Sequence, residues 1–322
     1  MSEVVLVTGA AGFVGSHLLA ALTKSEPSVE ITAWHRLRAG GPTQLPRAFG
    51  DTSSVRWQAV ELLDRETVTR GIAELRPSAI YHCGGMANVH GSWSTILATL
   101  EANVSGTKHL LDAVSRSGLT PRILIPSSAL VYGPSTRAIT EDDALGPVSP
   151  YGLSKLAQEM LGQRVAEEGQ AVLLARAFTH IGPGQELSYA ASSFAHQVAR
   201  IEADQQEPVI KVGYLDARRD LTDVRDTVGA YQALMARAVP GRAYNVCTGR
   251  APQIRDVLNG LKRYSTVEIR VQVDPNRFRP QDNPLLLGNP ARITNEIGWN
   301  PTIPLEQTLL ELLDYWRQAI QR

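Results

Sequence analysis

The sequence predicts an α/β fold: a doubly wound parallel sheet with a smaller α/β lobe. Two observations predict the sheet. The chain opens on Val4-Val5-Leu6-Val7, a continuous apolar run of the kind found in strands buried on both faces. Short apolar runs then alternate with helical patterns as far as residue 177, the sign of parallel βαβ units. The lobe is predicted by a third observation. Beyond residue 177 polar loops, scattered prolines and shorter strands take over.

Taken in order, the first strand runs into Thr8-Gly9-Ala10-Ala11-Gly12-Phe13-Val14-Gly15, and an amphipathic helix follows through Leu22. A glycine-rich turn between strand and helix lets backbone approach a pyrophosphate, which then sits on the helix N-terminus. A lone glycine pattern is weak evidence, but here strand, turn and helix stand in the required order. This is the Rossmann-type arrangement. Glu30 to His35 forms the second strand, Val55 to Leu62 the third, with Asp64 capping the next helix. Ala79 to Cys83 is a fourth, running into Gly84-Gly85, where small residues leave room for a cofactor. Leu97 to Val114 reads as one long helix carrying Asn103. Ile123 to Ile125 is a fifth strand, ending in Pro126-Ser127-Ser128-Ala129-Leu130, and Ala171 to Leu174 a sixth. Val209 to Val212 and Val267 to Val273 are strands of the lobe. Ala243 to Cys247 reads as a buried strand returning to the main sheet, and Leu305 to Ile320 carries a helical apolar stripe. The expected division is 1–177, joined by about 223–263, for the cofactor domain. Most of 178–322 then forms the lobe.

Bulk properties narrow the function classes. The 322 residues are 43% apolar and 20% charged, enough for a substantial core. Lys+Arg and Asp+Glu both number 32, so no global field points to nucleic acid or an anionic membrane. Cys83 and Cys247 lie in apolar runs and read as buried thiols of a reducing compartment. The apolar start from Val4 to Leu22 is broken by three glycines and lacks a basic leader, so it does not read as a signal peptide. No run reaches transmembrane length. A cytoplasmic enzyme is the expectation. The seven histidines show no metal-ligand spacing, and His82 and His180 read as packed groups.

Chemistry concentrates at Pro150-Tyr151-Gly152-Leu153-Ser154-Lys155, which opens a helical pattern. Tyr151 and Lys155 lie one turn apart on one face. A free phenol titrates near about 10 and is sluggish at neutral pH. A fixed ammonium beside it favours the phenolate and lowers that value. Tyr-x-x-x-Lys is common by chance, and its weight comes from the glycine loop and Ser128. At the end of the second strand, where an NAD site places a carboxylate, this chain has Arg36 and Arg38. A guanidinium suits a 2′-phosphate, so NADP(H) is the expected cofactor.

Thr8-Gly9-x-x-Gly12-x-x-Gly15, Ser128 and Tyr151-x-x-x-Lys155, in that order and spacing, resemble the extended short-chain dehydrogenase/reductase family across nearly the whole chain. The resemblance implies a nicotinamide cofactor and a nucleotide sugar held by the C-terminal lobe. It makes Tyr151 the proton donor or acceptor, has Ser128 hydrogen-bond the substrate oxygen, and has Lys155 bind the nicotinamide ribose and tune Tyr151. Glu61-Leu62 corresponds to the adenine contact, where the family usually has Asp. Asn103 corresponds to the helix asparagine that supports the site. With Gly9, Gly12, Phe13, Val14, Arg36, Arg38, Gly84, Gly85 and Phe178, these form the expected cofactor set. A homodimer through the helices of Asn103 and Tyr151 is also implied.

The family includes reductases, epimerases and 4,6-dehydratases. Dehydratases usually carry Asp-Glu or Ser-Glu after the Ser128 position; here stand Ala129 and Leu130, which move no proton. Arg176 to Gln185, Arg218 to Asp226 and Arg279-Pro280-x-Asp282 narrow the resemblance to the branch that reduces a GDP-linked 4-keto-6-deoxy hexose to GDP-rhamnose. Within it Arg219 and Arg279 would clamp the diphosphate, or else Arg219 would pair with Asp223. Ser128 and Thr179 would meet the substrate, Thr179 standing where the family has Asn and Ala177 where it has Pro. A 4-epimerase recycling tightly held NAD, and a non-catalytic nucleotide-sugar or NADP(H) sensor, stay open as alternatives.

Overall fold

The computed structural model describes residues 3–36, 49–277 and 283–321. Six strands form along the first part of the chain, the inner ones as apolar runs covered on both faces. They are β1 (Val4–Thr8), β2 (Glu30–His35), β3 (Arg56–Ala59), β4 (Ala79–His82), β5 (Arg122–Ser128) and β6 (Val172–Ala177). Between them run α1 (Phe13–Ser25), α2 (Arg65–Leu75), α3 (Ile96–Leu100), α4 (Gly106–Ser117) and α5 (Pro150–Glu167). The expected third strand ends early because Asp64 folds back, its amide bonding the Glu61 carbonyl at 3.0 Å. Asp64 then caps α2, accepting from the Glu66 and Thr67 amides. The long helix expected over Leu97 to Val114 contains a π turn, Glu101–Ser105, between α3 and α4. Such turns re-aim one side chain, and here it is Asn103.

The C-terminal part holds β7 (Thr179–Ile181), α6 (Ala190–Glu202), β8 (Val209–Val212), β9 (Arg218–Arg219) and β10 (Leu221–Asp223). Then come α7 (Val224–Arg237), β11 (Ala243–Val246), α8 (Ile254–Arg263), β12 (Arg270–Val273) and β13 (Leu285–Leu286). α9 (Ala291–Ile297) and α10 (Leu305–Ile320) close the chain. As the apolar pattern of Ala243 to Cys247 implies, β11 returns to the main sheet and pairs in parallel with β6. The resulting seven-stranded parallel sheet has the order β11-β6-β5-β4-β1-β2-β3.

Alternation along β1 assigns the two faces. Val5 and Val7 pack with Leu18, Leu19 and Leu22 of α1 and Leu234 of α7. Leu6 points the other way, toward Ile72 of α2 and Leu110 and Leu111 of α4. A separate core joins α6, α8 and α10 through Phe194, Val198, Leu258, Leu261 and Leu312, with Ile210 and Val212 of β8. Burying each such side chain contributes about 1.5–3 kcal/mol, so these clusters dominate the favourable side of folding.

Beneath the carboxyl edge of the sheet lies a buried ion pair. Arg176 of β6 donates to both carboxylate oxygens of Glu159 on α5, its Nε at 3.1 and 3.2 Å. The same carboxylate accepts from the Ser127 hydroxyl at 2.6 Å, and Arg176 also donates to Tyr132 Oη at 2.7 Å. Both charged side chains are almost wholly excluded from solvent. Every oxygen is partnered, the condition under which a buried pair is tolerated. Arg176→Met strands the Glu159 carboxylate and should lower stability by about 3–5 kcal/mol, read as a fall in the urea midpoint. The double variant Arg176→Met/Glu159→Met should recover much of that loss; a single variant with the wild-type midpoint would contradict the account.

Candidate active site

Construction of the site starts at the glycine turn after β1. Gly9 adopts φ +62°, and a Cβ there would sit 2.5 Å from the Cys83 carbonyl oxygen. The Gly12 amide closes the turn on the Gly9 carbonyl at 2.9 Å. Gly15 packs so close that a Cβ would meet the same carbonyl at 2.3 Å. No side chain caps α1 and no acidic residue occupies its first turn. The amides of Phe13 and Val14 thus begin a helix whose positive end is left for an anion. This turn fits the pyrophosphate of a dinucleotide.

Parallel pairing sets Thr8 of β1 level with His82 of β4. The Thr8 hydroxyl bonds His82 Nδ1 at 2.8 Å and accepts from the Gly84 amide at 3.0 Å. Gly84 has no room for a side chain, since a Cβ would lie 2.5 Å from Leu62 Cδ1. Leu62 is held in turn by its carbonyl, which accepts from His109 Nδ1 at 2.9 Å. Glu61, exposed beside it, accepts the Leu63 amide at 3.3 Å. Arg36 follows β2 at the sheet edge and is exposed. Arg38 and Arg279 lie outside the described residues.

Asn103 lies buried behind Gly85 and Met86. Its Oδ1 accepts from the Met86 amide at 2.7 Å, and its Nδ2 donates to the Met86 carbonyl at 3.0 Å and Ser154 Oγ at 2.8 Å. With both amide protons and the carbonyl engaged, Asn103 is a strut between the loop after β4 and α5. The absent side chain of Gly85 permits it, because a Cβ would stand 2.4 Å from Asn103 Oδ1.

α5 starts where its sequence directs. Ser149 caps it, accepting the Gly152 amide at 3.0 Å, and Pro150 occupies the first position. Gly152 then lets the first turn press on the segment after β5, where a Cβ would come within 2.3 Å of the Leu130 carbonyl. This contact brings Tyr151 beside Ser128, near enough for the hydroxyl to bear on the titration of the phenol. Ser128 also accepts the Leu130 amide at 3.1 Å.

Lys155 departs from the expectation. Its ammonium donates to Gln158 Oε1, and Tyr151 is not depressed by it. Burial drives the Tyr151 phenol well above its ordinary range, the nearby Tyr189 adds to this, and the Ser128 hydrogen bond opposes it. Lys155 is itself pushed down to about 8, chiefly by burial, with Cys83 and Glu159 working against the fall. Desolvation thus outweighs the pair interaction read from the spacing. Burial likewise holds His82 neutral, at about 3, with both ring nitrogens taken up by Thr8 and Thr107, and it pushes the Cys83 thiol up to about 12, so that thiol is no nucleophile at neutral pH.

Phe178 is buried at the junction of β6 and β7, its amide bonded to the Val246 carbonyl at 3.0 Å. Thr179 opens β7 and is half-buried. Arg219 lies half-buried on β9, beside β13. Asp223, the alternative partner for Arg219, is held by Arg225 at 2.8 Å and Thr308 at 2.7 Å. His180 stacks on Phe13 with ring centroids 5.9 Å apart, and burial lowers it to about 4. Gly9, Gly84, Ser128, Tyr151, Lys155 and Phe178 therefore gather at the carboxyl edge of the sheet, where doubly wound folds bind ligands. Tyr189, Gln158 and Thr107 belong to the same place, and no local sequence pattern marks them. Among the described residues no cluster of His, Cys, Asp or Glu is arranged to hold a metal ion.

Known proteins match this arrangement over its full length. Residues 6–312 fit the GDP-mannose 4,6 dehydratase family model. The chain is 34% identical to a GDP-6-deoxy-D-mannose reductase of Pseudomonas aeruginosa, covering 100% of this chain and 99% of that one. It is 30% identical to a UDP-glucose 4-epimerase of Bacillus subtilis, covering 97% and 96%. RMD of Pseudomonas aeruginosa complexed with NADPH superposes with a TM-score of 0.83 at 31% identity, covering 99% of this chain and 100% of that one. The UDP-glucose 4-epimerase of Thermus thermophilus in complex with NAD gives 0.86 at 25% identity, covering 98% and 100%. Glycine turn, Ser128 and Tyr151-x-x-x-Lys155 on this frame make the chain a member of the GDP-mannose 4,6-dehydratase family, within the extended short-chain dehydrogenase/reductases, oxidoreductases that modify nucleotide sugars.

Proposed function

We propose that the protein is an NADPH-dependent reductase of the C4 keto group of a nucleoside-diphosphate 4-keto-6-deoxy hexose, converting GDP-4-keto-6-deoxy-mannose to GDP-rhamnose. The observation that carries the reading is the Ser128–Tyr151 contact at the sheet edge, followed by Ala129 and Leu130. A 4,6-dehydration needs an acid and a base just there, and two aliphatic side chains supply neither. Hydride transfer needs only a proton donor and an oxygen-directed hydrogen bond.

NADPH, when bound, supplies the hydride. Its pyrophosphate would rest on Gly12, Phe13 and Val14, its 2′-phosphate near Arg36, and its ribose hydroxyls against Lys155. Tyr151 stands protonated at neutral pH and gives its proton to the developing alkoxide, while Ser128 donates to the same oxygen. Thr179 and Arg219 of the lobe, with Arg279, hold the nucleotide end of the substrate. Tyr189, beside Tyr151 and bonded to the Ala87 carbonyl at 3.0 Å, helps keep water from the phenol. The 4-epimerase reading remains open through the epimerase relatives, but it calls for NAD and no net use of reductant.

A second copy of the chain completes the proposal. Leu97 is 76% exposed, and Leu153 and Met160 of α5 are 50% and 60% exposed. Leu153 and Met160 lie on one stripe of the helix that carries Tyr151, and α3 packs beside it. A homodimer through these helices would cover them. No helix among the described residues is long and apolar enough to cross a membrane.

Three outcomes follow. Tyr151→Phe should lower kcat by about 10²- to 10⁴-fold with NADPH binding retained, in an assay following loss of NADPH absorbance on keto-sugar nucleotides. Full turnover in that variant rules the assignment out. NADPH should bind more tightly than NADH, and Arg36→Ala should narrow the gap, measured by fluorescence titration; tighter NADH binding contradicts the cofactor. Wild type should sediment as a dimer and Leu153→Glu/Met160→Glu as a monomer that still binds NADPH; a monomeric wild type removes the interface.

A further inference from the structure

Lys155 ends a chain of hydrogen bonds whose direction is fixed at every link. Its ammonium has only protons to give, so Gln158 must present Oε1 to it. The Gln158 amide nitrogen then donates to Thr107 Oγ1 at 2.6 Å. Thr107 spends its single proton on the Asn103 carbonyl at 2.7 Å, so its oxygen also accepts from His82 Nε2 at 2.9 Å. His82 is thereby held as the Nε2–H tautomer, and Nδ1 accepts from Thr8, whose oxygen receives the Gly84 amide. Gln158, Thr107, His82 and Thr8 are all excluded from solvent. Reversing the Gln158 amide would set its NH₂ against the ammonium and a carbonyl against a hydroxyl with no proton to spare.

We propose that Gln158 is a positioning residue for the Lys155 ammonium, orienting that charge through a closed series of directed hydrogen bonds anchored on the glycine turn. The proposal rests on Tyr151 and Lys155 being the catalytic pair. Gln158 touches neither substrate nor cofactor in it and acts through Lys155 alone. The groups that face Lys155 are few. His82 and Cys83 approach from β4 and the loop behind it, and Glu159 comes from its own helix. His82 is neutral and the Cys83 thiol is protonated, so Glu159 is the one anion, and Arg176 already holds it. The amide oxygen of Gln158 is therefore the neutral acceptor set directly against the charged lysine. A hydrogen bond to a charged group outweighs one between neutral partners, so its removal tells on protonation.

The test needs two variants of opposite sign. Gln158→Met keeps the length of the side chain and removes the acceptor. Gln158→Glu keeps the shape and offers a carboxylate, so the test stands even where the methionine variant fails to fold. Lys155 titration is read from the Cε shift of ¹³C-lysine-labelled protein. The chain has five lysines, and Lys155→Arg identifies the signal. The midpoint should fall by about one pH unit in Gln158→Met and rise by about one or more in Gln158→Glu. The alkaline limb of kcat/KM for keto-sugar reduction should move the same way. A Lys155 midpoint that stays put in both variants, with activity lowered evenly across pH, makes Gln158 merely structural and overturns the proposal. Retained turnover in Tyr151→Phe instead overturns the catalytic reading beneath it.

Discussion

One seam sets the chemistry of this fold: the contact of α5 with the end of β5. Gly152 lets the first turn of the helix lie against the Leu130 carbonyl, closer than any side chain would permit. Seven residues along, Glu159 pins the same helix to Ser127 and Arg176. Both contacts act on neighbours of Ser128, so the helix carrying the phenol and the strand carrying the hydroxyl are registered at two points. Neither strand nor helix propensity would hold that register alone. The close approach needs glycine, and the second point needs a charge that every partner satisfies.

Around the seam the protein invests in polar groups rather than in more aliphatic packing. Apolar residues filling the positions of Thr8, His82, Thr107 and Gln158 would avoid the desolvation these groups incur. They would leave the half-buried Lys155 without an acceptor, and desolvation would then weigh further against its charged form. The chain of directed bonds lets an ammonium persist beside the cofactor turn. Asn103 plays the matching part on the backbone side, where a π turn rotates it toward Met86 and Ser154.

Much of this was legible from residue order. Burial on both faces makes a strand continuous in hydrophobicity, so the inner strands of the sheet and the return of Ala243 to Cys247 could be read directly, while the edge strand β3 stops at Ala59, short of the expected Leu62. Caps announce themselves, as Asp64 and Ser149-Pro150 do. Ser128, Tyr151 and Lys155 stood out because their spacing is local or tied to a strand end. Electrostatics did not. The spacing of Tyr151 and Lys155 implies an ammonium lowering a phenol, but the fold supplies burial, which raises it, and a glutamine that takes the ammonium. Thr8 and His82 meet only through strand register, 74 residues apart in the chain. Tyr189 reaches Tyr151 only because the lobe folds back over the sheet. Such contacts have no period and no motif.

A raised phenol favours one direction of chemistry. A proton donor must carry its proton when the keto sugar arrives, and a Tyr151 held above its ordinary range does so throughout the neutral region. An enzyme that begins by oxidising a hydroxyl needs the phenolate first, and burial penalises that form. Tyr189 adds to the penalty, and Ser128 offsets it only in part. Arg36, exposed after β2, would in the same reading favour the cofactor that carries a 2′-phosphate. In the proposed reading, a desolvated donor and a cationic cofactor edge both suit ketone reduction better than the reversible oxidation an epimerase requires.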